Sequence, residues 1–547
     1  MTQPTRAAER AGSHELHLRD AAWERVQLLL RVRPAPGGPD LHQLRLRRQG
    51  GHADEVMGPT SVRPDGDGAV VRFNVMQGPG LMPLELGTWR LELADTADAR
   101  TGQPVRVTVD DPASLAATIG RFELRRGDYL VTPALDPATG TLALDVTLGP
   151  PTIEPPPPEP WTLLRVRNRI IRRLRRPGFQ WLYRLATLVA RHDGRSILFS
   201  SDSRAELGGN LKVVYDRMVE RGLDRDHDLK LLFKPSIAVR RSMRDRFRLP
   251  WILARADVIL VEDYQPVIYR VDHPKTRIVQ LWHASGAFKT VGYSRVGKPG
   301  GPSPYSRTHK NYTHAIVSSD YDVPFYAEAF GIPEARVVPT GIPRMDRFFD
   351  EARRAAGREL AHARFPAARD RMTILFAPTF RGENPRTAFY GEEQLDYAAL
   401  HALAVEKDAV VIFKMHPFVR EPLHIPDALT DRLIDGTATD IDVNDLLFAV
   451  DLLITDYSSI VFEFSTLGRP MLFFAYDLDA YVSERDFYVP FEAFVPGRIA
   501  RTFPELLDAI RRDDYEVEKV EAFAHRHFAH LDGSSTDRVI DELVLAR

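Results

Sequence analysis

Hydrophobic and polar positions alternate along this chain with two different patterns, and the change between them divides it. From about Leu16 to Leu148, short segments such as AVVRFNV, TWRLELAD, PVRVTVDD, GRFELRR and TLALDVTLG alternate apolar with polar side chains between Gly, Pro and Asp turns. Successive residues of a strand face opposite sides, so this alternation predicts half-buried strands and an all-β accessory domain, a sandwich or small barrel, over 1–149. After Asp193 the apolar runs become continuous. SILFSS, LKLLFK, VILVED, IVQLWH and HAIVSS form one series; MTILFAPT, AVVIFKMHP, LLITDY and PMLFFAY form a second, with amphipathic helical stretches between. Runs without a polar face suit parallel strands covered on both sides, so the two series predict two doubly wound α/β domains, over 194–345 and 346–547.

The junction over 150–193 has its own character. PPTIEPPPPEP, from Pro150 to Pro160, enforces an extended chain and marks a boundary. Between Trp161 and His192 there is no Asp or Glu but there are nine arginines, seven of them Arg165, Arg167, Arg169, Arg172, Arg173, Arg175 and Arg176. Leu163, Leu164, Ile170, Ile171 and Leu174 recur at helical spacing, and Trp161, Trp181 and Tyr183 suit headgroup depth. The segment is expected to lie on an anionic membrane surface, gaining about 1 kcal/mol per basic residue. A solvated helix packed on its own domain is the other reading. No nucleic-acid motif accompanies the arginines.

A length of 547 residues exceeds what one core serves, which agrees with two or three domains. Hydrophobic residues at 44% and charged residues at 27% are globular values. No apolar run reaches the roughly 20 residues needed to cross a bilayer, and MTQPTRAAERAGSHELHLRD lacks a hydrophobic signal core, so a peripheral position on the cytoplasmic face of the membrane is expected. Zero cysteines exclude disulfides, thiolate metal sites and a cysteine nucleophile.

Parallel α/β sheets bind ligands beyond the carboxyl ends of their strands. In LLITDYSS the strand ends at Thr455 and Asp456, and Ser458 and Ser459 open a helix, where hydroxyls and free N–H groups suit a pyrophosphate or simply an N-cap. In VVIFKMHP, Lys414 and His416 are alternate residues and could converge on one phosphate. In ILFAPTFRGE, Pro378 breaks the strand and exposes Thr379 and Arg381. Three such ends in one half predict a phosphate-binding crevice. In the other half, IVQLWHASGAFKTVGYSR places His283 at a strand end, followed by the small residues Ala284, Ser285 and Gly286, with Lys289 available for acceptor phosphate. A histidine there can take a proton from an attacking hydroxyl, though beside Trp282 it also reads as a packed structural residue. His-Glu-x-x-His, Gly-x-x-x-x-Gly-Lys-Ser/Thr and Gly-x-Ser-x-Gly are all missing, which removes zinc hydrolases, P-loop enzymes and serine esterases. The Asp-x-Asp triplets at Asp440 and Asp477 are not expected to define a metal site.

Taken in order, QLWHASGAFKTVG, TGIPRMDRFF, FAPTFRGE, KMHP, LLITDYSSIVFEFSTLGRPMLFFAYDLDAY and DGSSTDRV resemble the CDP-glycerol glycerophosphotransferase family of teichoic-acid and capsule synthesis. FSSDSRAELGGNLKVVYDRM looks like that family's segment opening the acceptor domain. The likeness covers roughly Ser196 to Leu543 and leaves out the β-rich part. It implies a GT-B-like pair of Rossmann-type domains facing across a cleft, with the acceptor side in the first and the donor side in the second. It implies no cofactor and no dedicated metal, and transfer of glycerol or ribitol phosphate from CDP-glycerol or CDP-ribitol to a lipid-linked acceptor, with release of CMP. On this chain the family's catalytic histidines fall on His283 and His416, and its donor hydroxyls on Ser458 and Ser459, with Thr379, Arg381, Lys414 and Asp456 beside them and Glu463 as a ribose ligand. Acceptor contacts fall on Gly209, Asn210, Ser285, Gly286 and Lys289. WHASGAFK replaces the shorter Gly-Thr-Pro version of some members, which leaves acceptor identity open. A nucleotide-sugar glycosyltransferase of the same architecture is the alternative enzyme, and a non-catalytic module binding anionic polymer through its arginines is the alternative of another class.

Overall fold

The computed structural model describes residues 15–52, 55–95, 101–124, 127–152, 177–382 and 386–546; the seven arginines between 165 and 176 lie outside them. Residues 15–148 form two sheets. One runs in the spatial order Ser61–Asp65, Gly68–Asn74, Gln27–Pro34, Glu15–Glu24, Arg106–Val109. The other runs Gly120–Phe122, Tyr129–Leu135, Leu142–Leu148, Gly87–Ala94, Leu44–Arg48, Val56–Met57. Alternate residues of the first (Leu28, Leu30, Val32, Val71, Phe73) meet alternate residues of the second (Trp89, Leu91, Leu93, Leu142, Leu144, Val146) in one core, as the two-residue period requires. That core also contains Tyr293 and Val296, which come from the α/β part of the chain.

The nine continuous apolar runs, with the short edge strands Val337–Val338, Leu433–Asp435 and Arg498–Ala500, form two six-stranded parallel sheets. The first has the order Asp228–Phe233, Ser196–Ser201, Val258–Val261, Arg277–Gln280, His314–Ile316, Val337–Val338. The second has the order Leu433–Asp435, Ala409–Phe413, Met372–Phe376, Leu452–Thr455, Met471–Phe474, Arg498–Ala500. Each order reverses once. In the first sheet the reversal lies between Ser196–Ser201 and Val258–Val261, and in the second between Met372–Phe376 and Leu452–Thr455. At such a point the crossover helices diverge to opposite faces and leave a crevice at the carboxyl ends. The crevices are therefore bordered by Ser201 and Asp263 in one half, with the strand end at Leu281 next to Asp263, and by Thr379 and Asp456 in the other.

One apolar cluster, from Ile197 and Phe199 through Phe348 to Leu453 and Phe462, runs through both α/β halves. Polar ties reinforce it where the chain returns to the first half. Asp346 accepts hydrogen bonds from Ser535 N (2.9 Å) and Thr536 N (2.8 Å), and Asp537 pairs with Arg217 (2.8 Å) on the helix Gly209–Glu220 and with Arg221 (3.1 Å) at its C-cap. Because Asp346 satisfies backbone donors at a helix start, Asp346→Ala is expected to cost about 1–2 kcal/mol. Calorimetry should show the thermal midpoint of the joined α/β halves falling by about 1–2 °C for each kcal/mol lost.

Candidate active site

The strand Arg277–Gln280 delivers His283 to the first crevice through an unusual turn. Trp282 takes a φ of 35°, a left-handed conformation that non-glycine side chains rarely adopt and that persists only where the surroundings impose it. The surroundings are plain. Gln280 Oε1 accepts from Trp282 N (2.9 Å), the amide of Asn210 donates to the carbonyls of Leu281 (3.1 Å) and Trp282, and Phe330 packs edge-on against the indole at 5.3 Å. Beyond this turn the His283 side chain stands 53% exposed, with Nδ1 3.3 Å from Asp263 Oδ1. Burial alone would raise the Asp263 carboxyl, but the hydrogen bond from His283 and the charges of His283 and Arg204 outweigh it and hold the carboxyl below its ordinary range. An Nδ1–H donated to Asp263 leaves Nε2 as the free acceptor. Neighbouring Glu262 is shifted the other way by burial; it accepts from Asn210 N (3.0 Å) and faces Arg204 at 3.2 Å.

In the second crevice Asp456 is buried and organises the wall. It accepts from Thr379 N (2.7 Å) and pairs with Arg381 (2.9 Å). Arg381 also grips Asp477 through Nε (2.6 Å) and NH2 (2.9 Å), inside a cage of Tyr390, Tyr457, Tyr476 and Tyr481 rings. Lys414 donates to Gly436 O and to both Thr439 oxygens, each at 3.0 Å. These charges hold loops together, whereas other groups stay open. Thr379 Oγ1 is buried without a hydrogen-bond partner among the described residues, Ser459 is exposed, and Ser458 is half-buried at the start of the helix Ile460–Ser465. The His416 ring lies 4.8 Å from Phe380 and 4.6 Å from Phe418, accepting from Phe418 N at Nδ1 (3.2 Å).

The backbone after His283 crosses from one half to the other. Ser285 is buried and donates to Glu463 Oε1 (2.9 Å), and Arg344 binds both Ser285 Oγ (3.1 Å) and the Glu463 carboxylate. A side chain at Gly286 would strike the Phe462 ring at 2.2 Å, so only glycine allows the crossing. Phe288 then stacks on Phe494 (4.2 Å) and Phe487 (4.7 Å). Lys289 arrives with Nζ 5.3 Å above the Tyr481 ring of the second half. Burial, partly opposed by Asp456 and reinforced by Arg485 and Arg381, lowers Lys289 to about 8. Burial and Lys289 together lower His416.

The structure thus sorts the sequence-derived residues by position. His283 opens on the first crevice; Thr379, His416, Ser458, Ser459 and Lys289 border the second. Lys289, read from sequence as an acceptor contact, stands beside Tyr481, Asp456 and His416 of the second half because the segment crosses over. Gly209 is exposed with a φ of 58° beside Glu262 and Arg204. Asn210 and Ser285 are buried with their polar atoms committed to protein partners, and Glu463 forms the tie between the halves. Asp263, Arg344 and Tyr481 escaped sequence reading. Asp263 directly follows the run VILVE, so the strand-end criterion applied to every run would have found it, and Arg344 sits inside TGIPRMDRFF. In protein carrying ¹³C-methylated lysines, the resonance removed by Lys289→Arg is expected to titrate near pH 8, well below the ordinary lysine value of about 10.

Comparison with known proteins identifies the family. The family model for CDP-Glycerol:Poly(glycerophosphate) glycerophosphotransferase matches residues 182–545. The chain is 47% identical over 366 residues to the teichoic acid ribitol-phosphate polymerase TarK of Staphylococcus aureus (strain NCTC 8325 / PS 47), covering 67% of this chain and 71% of that protein. To the ribitol-phosphate polymerase TarL of the same strain it is 41% identical over 423 residues, covering 76% and 74%. Among solved structures it is similar to the wall teichoic acid polymerase TagF, with a TM-score of 0.52 and 22% identity over 70% of this chain and 95% of that one, a likeness of fold. The chain therefore belongs to the CDP-glycerol:poly(glycerophosphate) glycerophosphotransferase family of enzymes.

Proposed function

We propose that this enzyme transfers ribitol phosphate from CDP-ribitol to the terminal hydroxyl of a lipid-linked polyol-phosphate acceptor, releasing CMP, in a GT-B-like cleft. The observation that carries the reading is His283, a half-exposed imidazole held by Asp263 at the crevice of one sheet, on a segment that ends at Lys289 beside the crevice of the other. His283 Nε2 takes the proton of the acceptor hydroxyl, whose oxygen forms a bond to the β-phosphorus of the donor. The bond from that phosphorus to the bridging oxygen breaks, and CMP leaves with the electron pair. His416, Lys289, Thr379, Ser458 and Ser459 bind the diphosphate and balance the charge that develops on CMP. Arg381, Asp456 and Lys414 shape the donor pocket from behind. Ribitol is preferred to glycerol because the relatives TarK and TarL carry ribitol phosphate in their names.

His283→Ala is expected to lower turnover by about 10²–10⁴-fold while leaving calorimetric affinity for CDP-ribitol nearly unchanged; unaltered turnover would overturn the assignment. CMP release from CDP-ribitol, faster than from CDP-glycerol, supports the donor, whereas release of UDP or GDP from nucleotide sugars would replace it with a glycosyltransferase. As pH rises through about 8, Lys289 loses its charge, so kcat/KM is expected to decline there, and Lys289→Arg should move that decline to higher pH.

Association with an anionic membrane belongs to the same proposal. The helical residues 177–189, which follow the arginine segment, expose Trp181, Leu188 and Val189. The helix Met243–Arg255 exposes Met243, Phe247 and Trp251, four residues apart on one face, among Arg244, Arg246 and Arg248. Among the described residues no helix is long and apolar enough to cross a membrane. Co-sedimentation with phosphatidylglycerol vesicles is expected, weakening with salt and in Phe247→Ser/Trp251→Ser. Equal recovery with neutral vesicles would remove the electrostatic part.

A further inference from the structure

The amino-terminal sandwich lies outside the residues matched by the family model, yet its contacts converge on the segment that carries His283 and Lys289. That segment is backed by the helix Val323–Phe330. Asp322, at its cap, accepts from Ala287 N (3.0 Å); Tyr326 donates to Gly286 O (3.0 Å); Phe330 supports Trp282; and a Cβ on Gly292 would meet Ala329 O at 2.0 Å. The same helix carries Glu328, a carboxylate only 2% exposed. Its hydrogen bonds come from the sandwich: Arg25 Nε at 2.6 Å and Gln27 Nε2 at 2.8 Å. The Arg25 guanidinium also lies 5.1 Å above the ring of Tyr488, whose hydroxyl is 3.0 Å from Ser294 Oγ and whose N–H donates to Phe288 O (3.0 Å). Four residues past Lys289, Tyr293 enters the core of the sandwich together with Val296.

We infer that the sandwich is a positioning domain for the reaction, with Arg25 as its positioning residue. Arg25 holds Glu328 and Tyr488, these fix the helix and the loop that clasp residues 286–294, and Tyr293 and Val296 anchor the far end. A buried carboxylate tolerates few arrangements of its partners, so this contact transmits position rather than merely joining two surfaces. The kinetic part of the inference rests on the proposed transfer reaction; the structural part does not.

The test uses the full chain. In Arg25→Ala, hydrogen exchange at residues 284–294 is expected to accelerate with no comparable change at the second sheet, and ribitol-phosphate transfer to fall by about tenfold to a hundredfold. In a Lys289→Met background the same substitution should cost less than about twofold, because Lys289, the reacting-site group inside the clasped residues 286–294, is already gone. A merely structural role would cost the same factor in both backgrounds, and that result, or unchanged exchange at 284–294, overturns the inference. If Arg25→Ala does not fold, Gln27→Met removes one hydrogen bond to Glu328 and keeps the ion pair, with the same direction of effect expected at smaller size. Should the wild-type protein turn over no CDP-alditol, the transfer reading fails by itself, while the exchange measurement still decides the positioning role.

Discussion

Burying the Glu463 carboxylate between two α/β halves is the constraint on which the site depends. An ionised carboxylate withdrawn from water without partners costs several kcal/mol, so the halves must approach in the one way that brings Ser285 and Arg344 onto it. Ser285 can reach only if the chain passes Phe462 at glycine distance, and that passage sets where His283 and Lys289 stand on either side of it. The same contact thus fixes the separation of the halves and the location of both side chains.

The strained Trp282 belongs to this arrangement. A left-handed tryptophan is unfavourable by about 1–3 kcal/mol unless its neighbours determine it. Here Asn210 and Gln280 bind the peptide groups around it, and Asn210 Oδ1 also accepts from Arg344 N at 2.9 Å. One buried amide therefore connects the turn that carries His283 with the residue that closes the two halves, so the position of the imidazole is set by the fold itself.

How much of this was legible in the sequence follows from the range of each interaction. Nine of the twelve strands of the parallel sheets stood out because burial on two faces leaves no polar period, whereas the edge strands Val337–Val338, Leu433–Asp435 and Arg498–Ala500 are too short to show as runs; His283, Thr379 and His416 could be located because they end such runs. The commitments of Arg381 could not, since Asp477 lies far along the chain and only the fold brings the two together. Lys414 and His416 share a strand parity, yet the chain stops being a strand at Phe413, so parity no longer fixes where the lysine ammonium goes. The side of the cleft that Lys289 serves depends on a backbone crossing, which no local pattern encodes. The pairing of Arg25 with Glu328 spans most of the chain and leaves no trace in either segment by itself.

The borrowed aromatic in the sandwich core bears on how the molecule comes to be. Strands that emerge early from the ribosome generally fold as a unit before later segments appear. Here the core of the nascent sandwich lacks Tyr293 and Val296 until those residues have been synthesised and have packed against it. Maturation of the amino-terminal part is thereby tied to completion of the part that follows it, and a chain arrested between the two would display an apolar hollow to the cell's quality-control machinery.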